Sequence, residues 1–149
     1  MVTVLHLHEY TFAYIVIHMQ TGLGFEGYNA EVLARVRLVI ALLNLPFLLI
    51  GDMQNPPQDL EDIGWPKSLK AQIVVPSNVD YTCTMGSKRV NDYVVISDAL
   101  RPLVESCVAT RVVPWKPHFM LTLVLKVALK QVRVRVLKLA PPLLKGEAK

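Results

Sequence analysis

The hydrophobic positions change period along the chain, and each change predicts a new element. Val2-Thr3-Val4-Leu5-His6-Leu7-His8 alternates loosely, and Phe12-Ala13-Tyr14-Ile15-Val16-Ile17-His18 follows after Glu9-Tyr10-Thr11. Two strands joined by a short turn explain this as a hairpin. After a glycine-bearing loop, Met19 to Gly24, the period becomes helical from Asn29: Val32, Leu33, Val36, Val39, Ile40 and Leu43 fall on one face, with Arg35 and Arg37 off it. Asn29 is the expected N-cap, and the helix should end near Asn44. Phe47-Leu48-Leu49-Ile50 is then a continuous apolar run between Pro46 and Pro56-Pro57, as expected for a strand buried on both faces and ending at Ile50. A helix followed within two residues by such a strand is an αβ unit packed on a sheet.

The stretch from Asn55 to Lys70 is polar and broken by prolines, and reads as a loop. Beyond it the chain is written in strands: Ala71–Val75 and Val79–Thr84 around Pro76-Ser77-Asn78, then Val90–Ile96, a single helical turn opening at Ser97, Cys107–Val113, and Phe119–Val127. In Val132-Arg133-Val134-Arg135-Val136-Leu137-Lys138-Leu139, period-two alternation puts the valines on one face of an edge strand and the arginines on the other. Pro141-Pro142 ends it, and residues 141–149 are expected to be a disordered basic tail. The fold class is α/β (α+β) with mostly antiparallel strands, and residues 1–140 are expected to be one domain.

Composition narrows the class. With 52% hydrophobic residues in a chain of 149, there is ample material for one core. The longest apolar run, Leu38 to Ile50, is interrupted by Asn44 and Pro46 and falls short of the roughly 20 residues a bilayer crossing needs. No basic segment leads an apolar one at the N-terminus, so no signal peptide is expected. Cys83 and Cys107 have no CxxC spacing, which points to neither a disulfide framework nor a zinc site and fits an intracellular setting. The net charge of +4 is unevenly spread: residues 1–118 carry nine Lys/Arg against eleven Asp/Glu, and residues 119–149 carry seven against one. That basic end either attracts phosphates, through Arg133, Arg135 and Lys138, or keeps an apolar edge soluble.

Candidate chemistry gathers at strand ends. Gly51 lets the chain turn, and Asp52 and Gln54 then project at the carboxyl end of a strand, where open α/β sheets bind ligands. Asp52 is either a catalytic carboxylate or a turn cap with Gln54 solvating it. Asp92 interrupts an otherwise apolar strand, and a buried carboxylate there has to be paired or hydrogen-bonded. His118 lies between Trp115-Lys116-Pro117 and an apolar strand. His6 and His8 share a strand face without a third ligand at a motif spacing, so they read as exposed strand histidines. Asp59, Glu61 and Asp62 lack an EF-hand pattern and read as a solvated loop. The Gly22-Leu23-Gly24 loop lacks the GxxxxGK[ST] pattern of a phosphate-binding loop.

In order and approximate spacing, Gly51-Asp52-Met53-Gln54, Asn91-Asp92-Tyr93-Val94-Val95-Ile96-Ser97 and Lys116-Pro117-His118 resemble the late motifs of the endonuclease/exonuclease/phosphatase superfamily, including its retroelement-encoded endonucleases. The strand ending at His18, the Thr21-Gly22 loop and the helix with Leu33-Ala34-Arg35 resemble what precedes those motifs. The resemblance implies two packed sheets with flanking helices and a divalent-metal phosphodiesterase using Mg2+ or Mn2+. Asp52 would orient or activate the attacking water near the metal, Gln54 would steady the phosphoryl oxygens, and His118 would stand beside the scissile phosphate, oriented by Asp92. The sequence departs from the superfamily pattern at several points. Gln54 stands for an asparagine, His18 for a frequent tyrosine and Pro117 for an aspartate, and the early asparagine and metal-binding glutamate have no counterpart. The expectation is a domain truncated on its N-terminal side, with Asp52 the one carboxylate placed for metal and with impaired or absent activity. The alternative is a non-catalytic α/β module binding nucleic acid or a protein through its basic C-terminal strand. DNA or RNA, no membrane, and self-association through an exposed sheet edge are the expected partners.

Overall fold

The computed structural model describes residues 1–7, 9–86 and 88–127. His8, the alternating strip with Arg133, Arg135 and Lys138, and residues 141–149 therefore lie outside the described residues. The first hairpin forms as β1 (Val2–Leu7) and β2 (Tyr10–His18), followed by α1 (Gly27–Leu43) and β3 (Phe47–Asp52). Two short helices, α2 (Pro57–Asp62) and α3 (Trp65–Ser68), lead into β4 (Ala71–Val74), and then come β5 (Asp92–Ser97), β6 (Val104–Thr110) and β7 (Met120–Leu125). Strands β1-β2-β3-β5-β4 make one sheet and β6-β7 a second. The pair β2 and β3 is parallel and the other described pairs are antiparallel. The parallel pair follows from α1, because strands in the same direction need a crossover long enough to return the chain.

Period two decides what each face of the large sheet buries. Ala13, Ile15, Phe47, Leu49, Tyr93 and Val95 point to a core shared with Leu33 and Val36 of α1, Leu60 of α2 and Trp65 of α3. Their neighbours Phe12, Leu48, Val94 and Ile96 point the other way, into a second core with Leu100, Cys107, Leu123 and Leu125. Helices, large sheet and small sheet are thus three layers around two cores, the two-sheet sandwich with flanking helices that the sequence predicts.

Several local expectations change. The strand begun at Phe47 does not stop at Ile50 but runs to Asp52. Gly51 makes no turn there. It pairs with Ile17 of β2, and a Cβ at this position would collide with the Ile17 carbonyl, so the glycine permits close approach of two backbones. Asn29 is not the cap of α1, which begins after Glu26. Its fully buried side chain instead clamps the preceding loop, accepting from Gln20 N–H (2.8 Å) and donating to the carbonyls of Gln20 (2.9 Å) and Gly24 (2.7 Å). The stretch read as a loop from 55 to 70 holds α2 and α3, each with a proline in its first turn. A proline there lacks an N–H the helix has no use for, so it marks a start where the sequence suggested a break.

Val79–Thr84 is not a ladder strand. Asn78 pairs its amide with both backbone groups of Ala109, and Cys83 bridges to His118 across the β6–β7 connection. The strand expected over 107–113 starts earlier and ends at Thr110, and the helical turn expected from Ser97 falls on Arg101–Leu103. No described helix is long and apolar enough to cross a membrane.

Candidate active site

The second core does not cover its face of the sheet to the end. On β3 the even positions run Leu48, Ile50, Asp52, and on β5 Asp92, Val94, Ile96, so both aspartates continue apolar stripes. Register places His18 beside Asp52 and Asp52 beside Asp92, a polar row across three adjoining strands. The row is held by backbone bonds: Met19 N–H donates to the Asp52 carbonyl (2.9 Å) and Met53 N–H to the Asn91 carbonyl (2.8 Å). Thr82, fully buried, accepts from the N–H groups of Asn91 (3.0 Å) and Asp92 (2.9 Å), which pins the start of β5.

His118 arrives over this row from the β6–β7 connection, after a cis Lys116–Pro117 bond. Two backbone bonds seat the arriving segment: Phe119 N–H to the Thr82 carbonyl (2.9 Å) and Thr84 N–H to the Pro117 carbonyl (3.0 Å). Its Nδ1 lies 2.9 Å and 3.1 Å from the two Asp92 carboxylate oxygens, and its Nε2 lies 3.4 Å from Asp52 Oδ2. Asp52, Asp92 and His118 therefore converge from positions far apart in sequence. A carboxylate at Nδ1 fixes the proton there and aims Nε2 at Asp52.

Burial lowers the proton affinity of His118, but the Asp92 hydrogen bond and the charges of Asp92 and Asp52 outweigh it and raise its pKa above the ordinary 6.5. Burial also raises the Asp92 carboxyl above 3.8, helped by the Asp52 charge and opposed by hydrogen bonds from His118 and Thr82 and by the His118 charge. The dyad thus holds a proton between its members more firmly than either group would alone.

Gln54 stands beside Asp52 with a positive φ of 56°, a backbone conformation uncommon for its residue type. Its N–H donates to Asp52 Oδ1 (3.0 Å), and its side-chain amide donates to Asp52 Oδ2. Asp52, Asp92 and His118 offer ligand atoms within 4.8 Å of one another. Asp92 is committed to His118, however, which leaves Asp52 as the carboxylate able to turn to a hard cation. Such an ion keeps several waters and takes one or two carboxylates besides phosphate oxygens, so these residues fit it at the lower limit of protein ligation.

Two clefts flank His118. One, of about 370 Å³, is lined by Thr21, Gln54, Cys83, Arg89, Asn91 and His118 among others. The Oδ1 of Asn91 is buried without a hydrogen-bond partner among the described residues. The other, of about 180 Å³, is lined by Tyr81, Arg111, Trp115, Lys116, His118 and Phe119, with half-exposed Trp115 at its edge and the Arg111 guanidinium 5.0 Å from the Tyr81 ring centre. A further cavity of about 380 Å³ against α3 and β4 lies apart from these groups.

Of the residues singled out from the sequence, Asp52, Gln54, Asp92 and His118 meet. Arg133, Arg135 and Lys138 are outside the described residues. Sequence reasoning did not anticipate Thr82 and Arg89 at this site; it had Asn91 in a motif without a role, and it had His18 only in a position where the superfamily often has tyrosine, without its Nε2 contact to Asp52 Oδ2 at 3.6 Å. The available signal for His18 was its position at the end of a predicted strand, where the superfamily pattern often has tyrosine. Thr82 carried none, because a threonine in an alternating segment reads as strand.

No family model matches the chain, and no curated protein matches it by sequence. Solved structures do. The endonuclease domain of TRAS1, a telomere-specific non-LTR retrotransposon, aligns with a TM-score of 0.68 at 9% identity, covering 85% of this chain and 63% of that one. Cytolethal distending toxin from Actinobacillus actinomycetemcomitans aligns with a TM-score of 0.61 at 15% identity, covering 85% of this chain and 53% of that one. The chain thus spans less than two thirds of either protein's length. At such identities the likeness concerns the path of the backbone, and on that ground the chain has the endonuclease/exonuclease/phosphatase-like fold.

Proposed function

We propose that this chain is an endonuclease-type phosphodiesterase on DNA or RNA, dependent on Mg2+ or Mn2+, with turnover held down by a metal site of one carboxylate. The observation that carries this reading is the contact chain from Asp92 through His118 to Asp52 at adjoining strand ends, in a fold shared with an endonuclease domain. The bound ion would neutralise charge on the phosphoryl oxygens, with Asp52 holding it. Asp52 also orients the attacking water. Asp92 keeps the imidazole in one tautomer, so that protonated His118 donates from Nε2 to a phosphoryl oxygen as negative charge grows there. Gln54, released from Asp52, offers its amide to the same phosphate. Arg89 on one side of His118 and Arg111 and Lys116 on the other give the sugar-phosphate backbone cationic footing through the two clefts. Trp115 and Tyr81 supply stacking faces.

The proposed domain spans residues 1–140, with 141–149 as a basic tail and Arg133, Arg135 and Lys138 as further phosphate contacts. Exposed Val2, Val4 and Leu7 on the edge strand β1 suit self-association.

The test is cleavage of abasic-site duplex, plain duplex DNA and single-stranded RNA with Mg2+ and with chelator. Metal-dependent cleavage that is lost in Asp52→Ala and in His118→Ala supports the reading, and cleavage surviving both substitutions would sink it. A second reading, a non-catalytic nucleic-acid-binding module, is favoured by Gln54 occupying both Asp52 oxygens. It expects binding without cleavage, unaffected by Asp52→Ala. Its salt slope should fall by about one log–log unit for each phosphate contact removed from Arg133, Arg135 and Lys138.

A further inference from the structure

The two thiols of the chain, Cys83 and Cys107, are equally buried at 5% exposure, yet their neighbours differ. Cys107 sits in the second core among Leu48, Val94, Ile96 and Leu100, where burial raises its pKa above the ordinary 9.0. Cys83 instead lines the cleft of about 370 Å³ beside His118. Its Sγ lies 4.0 Å from His118 Nε2, and His118 Nδ1 lies 2.9 Å from Asp92, so thiol, imidazole and carboxylate form one chain of contacts. That is the order of an activated nucleophile: the carboxylate holds the ring's tautomer and the opposite nitrogen faces the sulfur. The backbone fixes the pair. Cys83 bridges to His118, and on either side Phe119 N–H donates to the Thr82 carbonyl (2.9 Å) and Thr84 N–H to the Pro117 carbonyl (3.0 Å). The phosphodiester chemistry proposed above makes no use of this thiol.

The rest of the cleft indicates what the thiol would meet. Arg89 lines it, and no described lining residue is acidic. Asn91 lines it too, and its Oδ1 is buried without a hydrogen-bond partner among the described residues. A cation and an unpaired acceptor beside a thiol suit a small molecule with carboxylates and amide N–H groups around a sulfur, and the volume is in the range of small-ligand pockets. We propose that Cys83 is a site of reversible S-thiolation by a small acidic peptide disulfide, with His118 as proton acceptor and with Arg89 and Asn91 holding the peptide. The thiol proton passes to His118 Nε2, and thiolate and imidazolium then face each other as an ion pair, the reactive form of a cysteine. Cys83 Sγ attacks one sulfur of the reagent and its S–S bond breaks. The other half leaves as a thiolate and takes the proton, while a new S–S bond joins the retained half to Cys83. The Cys83 sulfur is oxidised and the leaving sulfur reduced, so no other oxidant is consumed. The attached peptide covers His118 and Gln54, which closes the site until a thiol removes it. That consequence rests on the phosphodiesterase reading; the exchange at Cys83 does not.

The experiment exposes the full native chain to oxidised glutathione, with hydroxyethyl disulfide as an uncharged probe, and maps adducts by mass spectrometry of peptides. One adduct is expected, on Cys83, formed faster than on the same residue in urea and released by dithiothreitol. Cys107 should stay unmodified until urea is added. His118→Ala should slow the reaction at least about tenfold, below the usual range for a positioned proton acceptor because some thiolate forms without it. Arg89→Ala, a change at an exposed side chain, should slow the reaction with oxidised glutathione and leave that with hydroxyethyl disulfide unchanged. Cys107 reacting as fast as Cys83, a Cys83 rate no higher in the native chain than in urea, or an Arg89→Ala rate unchanged with oxidised glutathione overturns the site. In the Mg2+ cleavage assay the adduct should abolish activity and dithiothreitol restore it, whereas Cys83→Ser should ignore oxidised glutathione. Cleavage undiminished by a complete adduct overturns the closing of the site. If the unaltered chain cleaves nothing, the phosphodiesterase reading falls while the peptide map still decides this one.

Discussion

The two faces of β3 are built from one strand with one period, yet they do different things. Phe47 and Leu49 look toward α1, α2 and α3, and that face stays apolar to its end, where Met53 is fully buried. Leu48 and Ile50 look toward the small sheet, and the next residue on that side is Asp52. The difference is cover. Three helices lie on one face, whereas the other has a sheet of two described strands, with the β6–β7 connection crossing the strand ends. A carboxylate costs much when buried unpaired, so charge collects where apolar cover stops and where a loop delivers His118 as a partner.

The sharpest way to break the comparison is to exchange what each face depends on. Asp52→Ala should reduce kcat/KM for nucleic-acid cleavage by about 10²–10⁴-fold, the range for losing a positioned acid–base group, with little change in denaturant midpoint. Leu49→Ala, three residues earlier on the opposite face of the strand, should do the opposite. It leaves a cavity in the helix-side core and should cost ~2–5 kcal/mol in urea unfolding. If Asp52→Ala were the more destabilising of the two, the polar row would be structural and the functional reading of that face would fail.

Gly51→Ala tests how closely the faces are coupled. Its Cβ would press on the Ile17 carbonyl, so β2 and β3 must part. Overpacking of this kind should cost about 1–3 kcal/mol and displace Asp52 as well, lowering activity and stability together.

Asp92→Asn should alter the pH dependence more than the midpoint. The folded pKa of His118 is raised, so the stability from its contact with Asp92 is fully present below 6.5 and lost as pH rises through the folded value. Asp92 is raised too, with the same sign from 3.8 upward. Thermal melts should therefore show the unaltered chain ahead of Asp92→Asn near pH 6, with the gap narrowing towards pH 8. A gap that widened over that interval would mean the imidazole is neutral in the fold.

Gln54→Asn is the smallest change. Asparagine tolerates the left-handed conformation better, so stability should rise by no more than about 1 kcal/mol. Its shorter amide should also loosen the hold on Asp52, and tighter Mg2+ binding in calorimetry would register that.

Much of this was written in the chain. Period-two and helical stripes were enough for β1, β2, α1 and the apolar strand at Phe47, since each element buries a face that only one period produces. The Gly-Asp, Asp-Tyr and Pro-His positions, in order, indicate the endonuclease-like fold, and Asp92 within an apolar strand announces a partner because carboxylates are seldom buried without one. What no local pattern carried was which atoms would meet. That Asp92 takes Nδ1 while Asp52 faces Nε2 depends on the register of β5 against β3 and on Thr82 and Phe119 seating the incoming loop. That Asn29 clamps a loop, that Gly51 serves close approach and not a turn, and that His18 joins Asp52 are likewise settled between strands. Sequence determines the period of each element from neighbours a few residues away. The site is made by pairings over separations such as 26 residues between Asp92 and His118, which exist only once the sheets have formed.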